Sequence, residues 1–165
     1  MVVNRWAKVL LAAGAALTAV AVAELFVRVR GLAPAFKAMV LDNQASVYKR
    51  STNPILGFEL KANYRNPDAD LNESYPSTNA HGQRDIERTI ENPKGAVRIL
   101  LLGDSVVEGH GIRELDQTIS RQLEMLDPDG KSEVLNFGVS GYCTLAEVEL
   151  LRTKGISFQP DIVIL

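Results

Sequence analysis

The stretch Val97-Arg98-Ile99-Leu100-Leu101-Leu102-Gly103-Asp104-Ser105-Val106-Val107-Glu108-Gly109 limits what this chain can fold into more than any other. Its apolar run is too short for a typical helix and shows no alternation. That pattern fits a strand buried on both faces of a parallel sheet. The run stops at Gly103-Asp104-Ser105, a turn of one small residue, one acid and one hydroxyl, and Gly109 follows four residues after the serine. A serine at the carboxyl end of a buried parallel strand stands where open α/β sheets bind ligands. Gly-Asp-Ser alone is ordinary loop composition, so the tripeptide needs its surroundings before it means anything.

Those surroundings repeat the strand-and-turn pattern. Leu115, Ile119, Leu123 and Leu126 recur at helical spacing, and Asp127-Pro128-Asp129-Gly130 ends that element. Val134 to Phe137 reads as a second strand, running into Gly138-Val139-Ser140-Gly141-Tyr142. Thr144-Leu145-Ala146-Glu147 reads as a capping box, Leu145, Val148 and Leu151 as the apolar face of the helix it opens, and Gly155 as its C-terminal cap. Pro160-Asp161 leads into a third strand, Ile162 to Leu165. The sum is a βαβαβ unit with a parallel sheet and right-handed crossovers. Two nucleotide readings fall away. There is no Gly-Lys-Ser/Thr, and Gly109-His110-Gly111-Ile112-Arg113-Glu114 puts Glu114 where a dinucleotide fingerprint needs its third glycine.

With these pieces together, the chain resembles the SGNH (GDSL-like) hydrolase family over about residues 50–165. Gly103-Asp104-Ser105 with Gly109 matches the family's first block, and Asn136-Phe137-Gly138-Val139-Ser140-Gly141 its second. Pro160-Asp161-Ile162-Val163-Ile164 is similar to the strand before its third block, and Asn79-Ala80-His81-Gly82-Gln83-Arg84 to the Asn-x-x-Gly-x-Arg segment of membrane-anchored members. The resemblance implies a three-layer, flavodoxin-like α/β fold with a parallel sheet, of which residues 97–165 supply the first βαβαβ portion. It implies Ser105 as nucleophile. It implies an oxyanion hole from the backbone N–H groups of Ser105 and Gly138, completed by an asparagine of the third block. A glycine suits that place because a bare backbone can approach a tetrahedral intermediate closely. The family's base is a histidine held by an aspartate three residues before it. Those later blocks are not among these residues, so the resemblance implies the amino-terminal part of a hydrolase, nearly inactive by itself. The expected activity is on ester bonds, as an esterase, lipase or O-acyl transferase. The expected partner is an ester-bearing small molecule, lipid or glycan, and no cofactor or metal is expected. The alternative is a non-catalytic envelope scaffold or binding module that keeps this half-fold.

Charge sorts the chain into two parts. Residues 1–50 hold seven basic and two acidic residues, a net +5, and residues 51–165 carry −7. A basic start with an acidic body suits a membrane-proximal end and an exposed remainder, and no basic stripe suggests nucleic acid. One cysteine and two histidines make no metal-ligand cluster. Cys143 reads as a small buried apolar residue.

Arg5 and Lys8 precede fifteen apolar or small residues, 9–23; Glu24 interrupts, Leu25-Phe26-Val27 resumes, and Arg28 and Arg30 follow. About 20 residues cross a bilayer, so residues 9–27 are long enough for a membrane anchor with Glu24 near the interface. Ala21-Val22-Ala23 offers the alternative of a cleaved signal peptide. Basic residues at both ends argue against a core helix. We read an anchor, with a signal peptide as the alternative; either exports the body. Three parts result: a membrane segment over residues 1–30, a stalk and irregular β-containing lead-in over 31–96, and the hydrolase-like part over 97–165. In the lead-in, Gly31 and Pro34 break the helix, Ile55 to Leu60 reads as a short strand, and Asn53-Pro54, Asn66-Pro67, Tyr75-Pro76 and Asn92-Pro93 mark turns.

Among local groups, Asp104 is expected to fix its turn by accepting a backbone N–H. His110 lies five residues after Ser105 and is the local candidate base. His81 reads as a turn residue. Ile162-Val163-Ile164-Leu165 is expected to be an exposed apolar edge.

Overall fold

The computed structural model of the chain describes residues 4–31, 41–44, 46–65, 77–93 and 95–165. Pro34 and the Asn66-Pro67 and Tyr75-Pro76 turns lie outside them. Two compact units divide the chain, Met1–Met39 and Val40–Leu165.

The first unit holds α1, Arg5–Val29. Alanine and leucine favour the helix. Asn4 caps it by accepting the Trp6 N–H at 3.2 Å, and Gly31, at φ +65°, follows its last turn in the left-handed region. Glu24 pairs with Arg28 at 2.7 Å, one turn away, which partly neutralises the acid that interrupts the apolar run. No residue of α1 is buried, and the helix is long and apolar enough to cross a membrane or to act as a signal sequence.

The second unit is mixed α/β. Its elements are β1 (Tyr48–Arg50), β2 (Phe58–Leu60), β3 (Val97–Gly103), α2 (Ser105–Glu108), α3 (Ile119–Met125), β4 (Ser132–Gly138), α4 (Thr144–Thr153) and β5 (Ile162–Ile164). β1 and β2 form an antiparallel pair, and β4-β3-β5 form a three-stranded parallel sheet. β3 lies in the middle. Leu100 aligns with Leu135 and Val163, and Gly103 with Gly138.

Register sorts the side chains, because aligned residues of neighbouring parallel strands share a face. On one face Leu100, Leu102, Leu135 and Phe137 meet Ala146 and Leu150 of α4 and Phe158 beyond it. Val47, Leu56, Leu60 and Tyr64 of the lead-in belong to the same core, so this described part of the lead-in packs with the sheet rather than beside it. On the other face Leu101 aligns with Asn136, and the Asn136 amide reaches Val107 O at 2.9 Å and Ser120 Oγ of α3 at 3.3 Å. Polar groups hold the amino-terminal end of the strands. Arg98 is fully buried, donating to Glu133 Oε2 at 2.9 Å and to Ile90 O and Phe158 O at 3.0 and 2.6 Å.

Several local expectations are corrected. The element expected over Leu115 to Leu126 is not one helix: it divides into a 3-10 turn at Leu115–Gln117 and α3, and a separate single turn, α2, precedes it. Ile119 and Leu126 are exposed. In α4 the buried residues are Ala146, Glu147, Glu149 and Leu150, while Leu145 and Val148 are 67% and 48% exposed. No capping box forms. The helix starts one residue earlier than expected, with an extended Cys143 as its N-cap and no side-chain cap bond. Cys143 is exposed, not buried. Gly155 is no left-handed cap either. A Cβ there would lie 3.0 Å from Leu100 Cδ1 and from Leu151 Cδ1, so it is glycine for close packing. The apolar edge is as expected: Ile162, Val163 and Ile164 of β5 are all exposed.

Candidate functional site

The site is built at the carboxyl end of the central strand. β3 ends at Gly103, where a Cβ would lie 2.9 Å from Val107 Cβ, so the chain can fold back onto itself only over a bare residue. Asp104 is the N-cap of α2, its Oδ1 accepting the Val106 N–H at 2.9 Å, as expected. Ser105 is the first residue of α2, partly buried. No side chain among the described residues is hydrogen-bonded to its hydroxyl. Gly109, at φ +80°, ends the turn in the left-handed region.

The second wall is the loop after β4. Gly138 and Val139 come alongside the Ser105 turn, with Val139 N–H donating to Gly103 O at 3.0 Å. The expectation for Gly138 meets a different arrangement. Its N–H donates to Asn136 Oδ1 at 3.0 Å, so that donor is engaged by the protein. The missing side chain has a packing reason: a Cβ would sit 2.6 Å from the Val107 carbonyl carbon and 2.8 Å from Glu108 Cα. Gly138 is where β4 touches the backbone of α2.

An account of the loop's N–H groups shows what sequence reading missed. Gly138 donates to Asn136, Val139 to Gly103, Ser140 to the Glu108 carboxylate and Tyr142 to Val139. Gly141, exposed and at φ +86°, and Cys143, the exposed N-cap of α4, are the loop residues whose N–H groups have no partner among the described residues, and Gly141 is the one next to Ser140. Its position in Ser140-Gly141 was visible in the sequence; the engagement of its neighbours was not.

The segment Asn79–Arg84 explains itself in the structure. Asn79 Oδ1 accepts the N–H groups of His81 and Gln83 at 3.0 and 2.9 Å, and its amide reaches Ile86 O at 2.9 Å. This turn delivers Arg84, almost wholly buried, to the carbonyls of Gly109 and Ile112, with Glu108 O at 3.4 Å. The arginine therefore clasps the loop that leaves the Ser105 turn. His81 is a turn residue, half-buried, its Nε2 2.9 Å from Arg88 O and its ring edge-on to Phe158. His110 uses its backbone, donating to Ser105 O at 2.8 Å. Its side chain is exposed, with no hydrogen bond to the Ser105 hydroxyl. Burial, then the charge of Asp104, push the Glu147 carboxyl above its ordinary range, so a second acid stands close to this turn.

A cavity of about 20 Å³ lies deeper, lined by Leu60, Gln83, Phe137, Gly138, Tyr142 and Lys154 among others. It is large enough for about one water molecule and no substrate. Among the described residues no group of three or more histidine, cysteine or acidic side chains is placed to hold a metal. In comparisons with known proteins, no family model and no curated protein matches the chain.

Proposed function

We propose that this chain carries the nucleophile and part of the oxyanion hole of an exported SGNH-type serine hydrolase acting on ester bonds. The observation that carries the reading is the placement of Ser105. It stands at the carboxyl end of the middle strand of a parallel sheet, on a helical first turn, with a free hydroxyl and the loop of the neighbouring strand alongside. In this reading Ser105 Oγ attacks the ester carbonyl, and the oxyanion is met by the Ser105 N–H and by the loop after β4. Gly138, first expected as that loop's donor, shapes the approach, and Gly141 brings the N–H that is free to bind. A serine hydroxyl needs a base to take its proton. Neither histidine among these residues is bonded to it, so the reading requires a base from outside residues 1–165. Without a base, a site of this kind retains only about a thousand- to ten-thousand-fold acceleration over water. The substrate class is an ester-bearing small molecule, lipid or glycan of the cell envelope, following from export through α1.

A fluorophosphonate probe applied to the protein isolated from its own cells should label Ser105, S105A should not be labelled, and the labelled protein should stay with membranes after a carbonate wash. A folded protein that takes no label removes the assignment, and release into the wash removes the anchor. One observation favours a second reading, a non-catalytic envelope module: the Gly138 N–H and the His81 ring are occupied away from Ser105, and the exposed His110 ring makes no bond to its hydroxyl. Absence of labelling in the folded protein supports it.

A further inference from the structure

Glu108 is the least expected residue near the Ser105 turn. It is 0% exposed, and among the described residues no arginine or lysine forms an ion pair with its carboxylate. A buried carboxylate is costly unless its oxygens accept hydrogen bonds. Glu108 has two donors, from different parts of the chain. The Tyr48 phenol of β1 donates to Oε1 at 3.1 Å, and the Ser140 N–H donates to Oε2. Burial first, and the Glu108 charge second, hold the Tyr48 phenol far above its ordinary range, so it stays protonated and keeps donating. An apolar side chain could fill the same volume without that cost. What it could not do is hold a phenol and a backbone N–H at once.

The N–H it holds belongs to the loop beside the nucleophile. Glu108 lies three residues after Ser105, and residues three apart share one face of a helical turn. Ser140, bonded to Glu108, is therefore tied to the turn that carries Ser105. With its own N–H turned onto Glu108, Ser140 fixes the start of the next peptide, which carries the Gly141 N–H. Gly141 sits at φ +86°, a conformation side chains rarely adopt.

We infer that Glu108 is a positioning residue: by accepting the Ser140 N–H, and being held in turn by Tyr48, it sets the Ser140–Gly141 peptide so that the Gly141 N–H faces the ground beside Ser105. The geometry stands on the structure alone; its use in binding an oxyanion rests on the hydrolase reading above. Through Tyr48, the lead-in becomes part of the frame of the site.

The test uses E108Q and Y48F in the protein isolated from its own cells, with two readouts. In E108Q the amide faces two donors with only one acceptor oxygen. The backbone amide resonances of Ser140 and Gly141 should move, the Ser140 proton losing the downfield position of a bond to a carboxylate, while those of Leu100 and Leu135 stay. Y48F should move the same pair by less. The second readout is the rate of fluorophosphonate labelling at Ser105, which should fall about a hundredfold in E108Q, the scale of losing one oxyanion donor. Unmoved amides in folded E108Q overturn the proposal, and so do moved amides with an unchanged labelling rate. Should E108Q fail to fold, Y48F decides by the same criteria. A wild-type protein that takes no label defeats the hydrolase reading but leaves the amide readout to decide whether Glu108 sets the loop.

Discussion

Single residues at the Ser105 turn divide by how far their partners lie along the chain. Asp104 was legible in the sequence because its acceptor role reaches only two residues, to Val106. The burial of Arg98 inside an apolar run was not, since Glu133 and Phe158 meet it only after the sheet is paired. Gly138 carries two demands that its sequence position cannot separate, a donor and a missing Cβ. The structure weights the second. G138A should therefore behave as a packing mutation against rigid backbone, which offers no flexible side chain to yield. Overpacking typically costs about 1–3 kcal/mol, and the upper end is expected for this position. Thermal melting of G138A beside G57A separates the two explanations. Gly57 sits at φ +69°, a strain that Gly138 lacks, but has open space where its Cβ would be, so if the clash with α2 dominates, G57A should melt higher than G138A. Equal melting points would mean that the contact with α2 is not what requires glycine.

Elements were legible as existence and type, less so as faces. The strands announce themselves by apolar runs, and β3, β4 and β5 stand within a residue or two of the expected bounds. Periodicity located α4 but picked the wrong stripe. Helical spacing shows which residues lie together, whereas the neighbours decide which stripe is covered. Here two acids, Glu147 and Glu149, take buried places beside Ala146 and Leu150, while Leu145 and Val148 face outward. Glu149 has a reason for its place. It accepts from Asn53 Nδ2 at 2.6 Å and from Arg152 at 2.8 Å, and Arg152 and Asn53 pull its carboxyl down to about 2. A carboxyl lowered on folding stabilises above its unfolded value near 4.5 and loses that contribution as pH falls toward about 2. The bond joins the Asn53 turn of the lead-in to α4, so acid should loosen this contact. Between about pH 4.5 and about pH 2 the wild-type melting temperature should fall more steeply than that of E149Q. Parallel pH profiles would show that the carboxylate does not hold the turn.

At the scale of the molecule, a sequence reader sees three consecutive parts, and the structure joins the last two. Val47, Leu60, Leu135 and Phe158 share one core, though Val47 and Phe158 stand near opposite ends of the body. That closure was illegible because the lead-in shows no long apolar run; it contributes single residues, each meaningless until the sheet exists. It also orders events in time. Parallel strands must wait for their crossovers, so β3 meets β4 only after the intervening chain has been gathered in, and loop closure has to come before contacts repay it. The bond between Tyr48 and Glu108 spans 60 residues, joins a three-residue strand to a finished turn, and comes late on any such route. Interactions made last on folding are the first given up on opening. The ground beside Ser105 is thus expected to open before the β3–β4 pair beneath it, closed by the same contact that shapes it.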